Sequence, residues 1–415
     1  MESLGDISNY LWHRLPLILL FVGGYLVYQL MAATRLTDAF VMWTLRKSRG
    51  SVTALILYII GAAAALSSFI PNTITVLTLL PMLKRLDQDF SRQGIGGMTT
   101  VLMCSAIYGA AIGGMGSMIG SPANAVLFGA LDLFDVPGRD QITFFNWFLW
   151  SVPLVCMLTL AAWGVAAGLG VPAAARKVTV RAGCLDGVCE VSDRQRYGGR
   201  LFWFYMGFWV AEAVLRQAVE GFAGISPAVS LGFMAVFLYL TFVRTAPTSA
   251  FGSGPLLRPA YLLKGVPRRG LAFILVLAVL FGVVHWFQWD EKLVELAGEM
   301  LRGDMPSLLL FFLTVLSVIF LTEVLSNTAV VAAFFTIAYY AALGHGMSPL
   351  YLMMAVGVSS TCAFMTPVAT PTNALAFGEM RGASLRAMLL LGFVLNVAGA
   401  AILTGWLSWV LPRVY

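Results

Sequence analysis

The sequence predicts an all-α polytopic membrane protein, an inverted repeat with two re-entrant hairpins and two broken transmembrane helices. Three observations predict it. Apolar residues make up 59% of the 415-residue chain and charged residues 11%, with a mean hydropathy of +0.85. A soluble domain carries roughly 25% charged residues, so a chain this poor in charge must be solvated mostly by lipid. Apolar runs long enough to span a bilayer occur at 14–34, 98–135, 146–170, 201–221, 227–244, 269–287, 349–378 and 387–411. Two further apolar stretches, 52–83 and 307–340, each begin and end beside loops of the same charge character.

Taken in order, span 14–34 follows Glu2 and Asp6 and precedes Arg35, Arg46, Lys47 and Arg49. It reads as a mature span with its N-terminus outside rather than a cleavable signal. With the amphipathic segment 36–47 it forms a scaffold piece, residues 1–48. Residues 49–175 form the core of the first repeat. Its opening stretch, 52–83, would be about 48 Å long as one helix, against a bilayer core of about 30 Å. It is interrupted at Ser67-Ser68-Phe69-Ile70-Pro71-Asn72-Thr73 and has basic residues at both ends, so it reads as a re-entrant hairpin. A helix interrupted at Gly120-Ser121-Pro122-Ala123-Asn124 and a closing span, 146–170, follow.

Residues 176–200 read as a cytoplasmic loop in which Cys184 and Cys189 flank a turn at Asp186-Gly187. With no neighbouring His or third Cys, the pair reads as two reduced thiols on a short β-hairpin rather than a metal site. Cys104, Cys156 and Cys362 read as small packing residues in membrane segments. Residues 201–306 hold two spans with no counterpart in the first half, then span 269–287 and an amphipathic segment, 289–302. Residues 307–415 repeat the first core: a hairpin interrupted at Ser326-Asn327-Thr328, a helix interrupted at Ala369-Thr370-Pro371-Thr372-Asn373, and a closing span. Outer-side segments flank this second hairpin, the acidic stretch 289–302 ahead of it, so the two halves run in opposite senses. Inverted repeats with broken helices are the architecture of secondary transporters.

The net charge of +6 is a topology signal. Twenty of the 26 Lys and Arg residues fall in segments 35–51, 83–97, 171–200, 244–269 and 379–386, while Asp132, Asp135, Asp140, Asp290, Glu291, Glu295 and Glu299 lie on the other side. Basic loops stay cytoplasmic. Eight crossings then put both termini outside the cytoplasm of a bacterial-type inner membrane, and no nucleic-acid partner is needed to explain the charge.

Bare backbone at membrane depth is tolerated only where protein buries it or it lines a cavity. The breaks carry Asn72, Thr73, Thr75, Ser121, Asn124, Ser326, Asn327, Thr328, Thr370, Thr372 and Asn373, and no Lys, Arg or His. Freed carbonyls and hydroxyls suit a hard monovalent cation such as sodium, and helix N-termini suit an anion. An anion held without a basic residue gains from cations bound beside it, which couples the two. Ordinary kinks with Ser and Thr bonded back to the preceding turn are the alternative for any single break; four paired breaks speak against it.

The runs Ser326-Asn327-Thr328, Pro371-Thr372-Asn373 and Ser121-Pro122-Ala123-Asn124 resemble those of the divalent anion/sodium symporter family, within the ion transporter superfamily. The resemblance extends from about residue 36 onward and is strongest at 322–328 and 363–378. It implies one sodium site at Ser67, Asn72 and the Gly120 carbonyl, and a second at Thr322, the Leu325 carbonyl, Asn327 and the Ala369 carbonyl. It also implies substrate contacts at Asn72, Thr73, Asn327 and Thr328, with Ser121, Asn124, Ser326, Thr372 and Asn373 completing the binding region. An elevator-type movement and a homodimer come with the family. Three departures stand out. Pro71 replaces a serine at the first tip, removing a hydroxyl and an N–H donor. Thr372 and Ala123 replace prolines. The scaffold ahead of the shared pattern is about two spans shorter, which leaves the dimer open.

Glu323 beside the second tip is open to two readings, a proton-coupling carboxylate or a structural hydrogen-bonding group. Glu212 and Arg216 are spaced to pair along one helix, and His285 beside Trp286 reads as an interfacial anchor. No phosphate-binding loop occurs. The expected function is transport of a small di- or tricarboxylate, or of sulfate, coupled to sodium ions without an organic cofactor. A sodium-independent dicarboxylate exchanger is the nearest rival; a channel and a membrane-embedded enzyme are the others.

Overall fold

The computed structural model describes residues 4–36, 47, 48, 50–176, 192–219, 221–244, 255–257 and 305–415. These residues are helical, with no strand among them. The helices are α1 (Leu4–Thr34), α2 (Val52–Ser67), α3 (Asn72–Arg92), α4 (Met98–Gly113), α5 (Pro122–Leu133) and α6 (Phe144–Val165). A short π-helical turn, Ala166–Gly170, extends α6. Then come α7 (Asp193–Ala218), α8 (Phe222–Phe242), α9 (Ser307–Leu321), α10 (Asn327–Gly344), α11 (Pro349–Ser359), α12 (Pro371–Glu379) and α13 (Leu385–Val414). Both expected hairpin interruptions and both expected helix interruptions are present as breaks between consecutive helices. The predicted span 269–287, the amphipathic segments 36–47 and 289–302, Cys184, Cys189 and His285 lie wholly or largely outside the described residues. Three helices among those described are long and apolar enough to cross a membrane unbroken: Phe144–Gly170, Phe222–Phe242 and Leu385–Val414.

Helix starts follow local chemistry. Pro122, Pro349 and Pro371 sit in the first turn of α5, α11 and α12, where the missing N–H has no intrahelical partner to lose. Ser121, Ser326, Thr370 and Ser384 cap their helices through side-chain oxygens. The first tip departs from this pattern, because Pro71 precedes α3 and offers no side-chain cap.

Two compact units result. One holds α1, α7 and α8. The Tyr205 hydroxyl on α7 donates to the Leu20 carbonyl of α1 at 2.6 Å, and Phe208 stacks on Phe233 of α8. A capping box at Ser192 and Gln195 starts α7, and the Gln195 amide also donates to the Arg35 carbonyl at 3.0 Å. Glu212 and Arg216 do approach, at 3.9 Å, but the shorter partner of Glu212 is the Ser226 hydroxyl at 2.5 Å.

The second unit holds α2–α5, α6 from Asn146 onward, and α9–α13. Its centre is α4 and α11, helices in which nearly every residue is buried; a helix apolar all round belongs inside. Hairpin α2/α3 packs on α4, and hairpin α9/α10 packs on α11. Contacts then cross reciprocally: α12 of the second half lies on α3 of the first, and α5 of the first half lies on α10 of the second. Tyr108 on α4 meets Phe364 edge-on at 5.4 Å. Cys104 and Cys362 pack inside as expected, whereas Cys156 is exposed on α6, because it falls on the face of that helix turned away from the core.

The tightest approach is α2 against α4. A side chain at Gly109 or Gly113 would land on the carbonyl oxygens of Ile60 and Ala64, so small residues four apart let the two backbones touch. Replacing Gly113 with Ala is expected to cost about 1–3 kcal/mol of stability through overpacking. A thermal melt of the purified protein should show it, with Gly61→Ala as the control, since nothing lies within 4 Å of that position.

Candidate functional site

The four breaks gather within the second unit. At the first tip, Ser67 Oγ donates to Asn72 Oδ1 at 2.6 Å. A side chain at Gly114, in the first helix break, would meet Asn72 Oδ1 at 3.1 Å, so this tip and this break are neighbours. Ser117 Oγ donates to the Ser68 carbonyl and fastens them together. Thr73 reaches the other half, its hydroxyl 2.9 Å from that of Thr372. Further along α3, Lys84 pairs with Glu379 at the end of α12 at 2.6 Å.

Each helix break is folded around an asparagine. Asn124 Nδ2 donates to the carbonyls of Ser117 and Gly114, seven and ten residues earlier, at 2.9 and 3.3 Å. Asn373 Nδ2 donates to the carbonyls of Thr366 and Ala363, also seven and ten residues earlier, both at 2.9 Å. Both residues are buried. The same side chain thus ties the same loop in both halves, and it satisfies carbonyls that neither α4 nor α11 can pair. The amide nitrogens of Asn124 and Asn373 are occupied within their own loops, while Asn124 Oδ1 is buried with no hydrogen-bond partner.

At the second tip, Ser326 caps α10 through the Ala329 N–H at 3.3 Å. Asn327 follows, its Oδ1 buried without a hydrogen-bond partner. Thr328 is the next residue of α10. Thr322 is buried and donates to the Ile319 carbonyl at 2.9 Å, and Leu325 is buried beside it. The Ala369 N–H donates to Thr366 Oγ1 at 3.1 Å. Gly120 lies against Gly114, where a side chain would meet the Gly114 carbonyl oxygen at 2.7 Å. Ser121 caps α5.

The predicted residues therefore fall into two interlocked clusters. Asn72, Ser67, Gly120, Ser121 and Asn124 surround the first break, with Thr73 and Thr372 bridging to the other half. Thr322, Leu325, Ser326 and Asn327 lie at the second tip, which Glu323 joins to the second break holding Ala369 and Asn373. Several supporting groups are not apparent from the motifs alone. Trp147 Nε1 and Ser151 Oγ on α6 donate to the carbonyls of Met115 and Gly116, at 2.9 and 3.0 Å. Asn396 on α13 donates to Glu323 at 2.7 Å. A polar residue within an apolar span was the available signal for Ser151 and Asn396.

Comparison with known proteins gives a consistent result. Residues 9–344 match the family model described as citrate transporter. An uncharacterized transporter of Haemophilus influenzae is 24% identical over 95% of this chain and 81% of its own length. A protein of Staphylococcus saprophyticus named sodium-dependent dicarboxylate transporter SdcS is 22% identical over 96% of this chain and 77% of its own. An uncharacterized transporter of Methanocaldococcus jannaschii is 27% identical over 83% and 71%. Among solved structures, the YdaH transporter of Alcanivorax borkumensis shares the fold, with a TM-score of 0.50 at 16% identity, over 99% of this chain and 90% of that one.

The asparagine ties give a direct test of the loop geometry. Asn373→Asp turns a donor into an anion facing two carbonyl oxygens, and is expected to lower stability by more than the roughly 1–3 kcal/mol of a lost neutral partner. Asn373→Ser, shorter but uncharged, should lose less. Thermal melts of the purified variants would rank them.

Proposed function

This chain belongs to the citrate transporter family, and we propose that it carries a small divalent anion across the inner membrane by sodium-coupled secondary transport. It is a multi-pass membrane transporter, not an enzyme. The proposed substrate is a di- or tricarboxylate, with sulfate as the remaining oxyanion reading. The name of the staphylococcal relatives, sodium-dependent dicarboxylate transporter, supports both the substrate class and the coupling ion.

The observation that carries the proposal is the pair of tips, where α3 and α10 begin at Asn72 and Asn327 beside loops tied by Asn124 and Asn373. Helix N-termini bring free N–H groups and a partial positive charge to bear on an anion without any basic side chain. In this reading Asn72, Thr73, Asn327 and Thr328 meet the substrate, and Ser121, Ser326, Thr372, Asn124 and Asn373 shape the surrounding backbone. Sodium is a co-substrate here. The donor set suits it: Asn327 Oδ1 is a buried oxygen with no hydrogen-bond partner, and hard monovalent cations take such carbonyl and hydroxyl oxygens. Thr322, Leu325 and Ala369 would supply the rest of one site; Ser67, Asn72 and Gly120 would supply another.

Arm lengths support tips at membrane depth. Helix α2 has 16 residues and α9 has 15, about 24 and 23 Å of rise, short of a core of about 30 Å. The unit with both hairpins would then move against the α1–α7–α8 unit in an elevator-type step. Both termini would lie outside the cytoplasm, and pairing of two copies is part of the proposal. A sodium-independent exchanger is favoured only by Pro71, which leaves α3 without a side-chain cap.

Proteoliposomes test this directly. Labelled succinate should enter empty vesicles under an inward sodium gradient and not under an equal choline gradient. Uptake only into succinate-loaded vesicles, indifferent to sodium, would instead make the protein an exchanger. Asn327→Ala should abolish uptake while leaving the melting temperature near wild type; unchanged uptake would remove Asn327 from the site.

A further inference from the structure

Glu323 is almost fully buried, between the second hairpin tip and the second helix break. Its carboxylate accepts from the backbone N–H of Met365 at 2.7 Å, the N–H of Thr366 at 2.8 Å and the side-chain amide of Asn396 at 2.7 Å. A fourth bond runs the other way, from Thr366 Oγ1 to the Glu323 carbonyl at 2.7 Å. Thr366 Oγ1 in turn accepts from the Ala369 N–H, and the Thr366 carbonyl accepts from Asn373. One residue therefore joins three elements that are distant in sequence: the tip leading to Asn327, the loop leading to Asn373, and α13.

We propose that Glu323 is a positioning residue, a latch that holds the second tip and the second break in register. All three partners of the carboxylate are donors. They use the accepting capacity of both carboxyl oxygens, so one side chain fixes three separate segments. The titratable groups facing it are Tyr108 of α4 and Cys362 of the break; both are uncharged side chains at neutral pH, and no cation among the described residues pairs with it.

The first half supplies an internal comparison. Ser117 Oγ donates to the Ser68 carbonyl there, just as Thr366 Oγ1 donates to the Glu323 carbonyl here. Ser68 thus stands where Glu323 stands, with a hydroxyl in place of a carboxylate. In that half Trp147 and Ser151 reach the break from α6, whereas Asn396 reaches Glu323 from α13. The two halves share the strut from the break to the tip, and only the second adds a buried carboxyl group.

The inference rests on the transport reading for its consequence, but its geometry can be tested separately. Hydrogen–deuterium exchange of the full-length protein in lipid nanodiscs reads the amides of Met365 and Thr366. Glu323→Gln is expected to speed exchange across 363–369 by about tenfold or more, with peptides over 114–121 unchanged. Thr366→Val should shift the same segment less, and Thr366→Ser should restore it; this pair carries the test if the Gln variant fails to fold. In proteoliposomes, Glu323→Gln should raise the KM for labelled succinate and the half-saturating sodium concentration several-fold, with the maximal rate less affected. Unchanged amide exchange would overturn the latch. Loss of proton-driven net uptake with succinate–succinate exchange preserved would assign Glu323 to proton transfer instead. A wild-type protein that moves no anion would remove the transport reading, while the exchange data would still decide the latch.

Discussion

Interrupting a helix in a low-dielectric interior leaves carbonyls and N–H groups that water cannot reach, and each must find a partner within the protein. Much of the second unit is arranged around that constraint. Asn124 and Asn373 tie their loops through carbonyls at the same two offsets. The indole of Trp147, the hydroxyl of Ser151 and the carboxylate of Glu323 engage backbone groups that the broken helices leave unpaired. With those partners supplied, the chain can hold two tips and two loops that expose backbone in a controlled way.

Packing makes this possible. The glycine face of α4 lets α2 approach until the backbones touch, and that contact places Ser68 within reach of Ser117. A similar close approach occurs at α13, where a side chain at Gly392 would run into the backbone of Phe364 and Met365. Asn396, one turn further along α13, then faces Glu323. Small residues thus set the distance, and polar side chains one turn away use it.

The halves are alike in architecture and unlike in detail. Ser326 caps α10, whereas Pro71 leaves α3 without a side-chain cap. Asn72 Oδ1 accepts from Ser67, while Asn327 Oδ1 has no hydrogen-bond partner. Glu323 has only Ser68 opposite it. The first tip is thus held mainly by its own neighbours and by the Thr73–Thr372 contact.

Much of this was legible in the sequence. Low charge and long apolar runs required a helical membrane protein, because lipid solvates apolar side chains and leaves backbone groups to pair along a helix. Polar interruptions inside those runs marked the breaks, three of the four with a proline, which ends one helix and favours the start of the next, and the paired Asn-Thr and Pro-x-Asn runs pointed to the residues around them. The sequence could not say which polar groups were committed to holding the fold. Asn72 and Asn327 look equivalent as letters, yet the side-chain oxygen of one accepts from Ser67 and that of the other is buried without a partner. Nor could it name the partners of the Glu323 carboxyl group. Those partners come from segments 42 to 73 residues away, and only tertiary packing decides which distant N–H groups arrive there, because hydrogen bonding depends on distance and direction that no local pattern encodes.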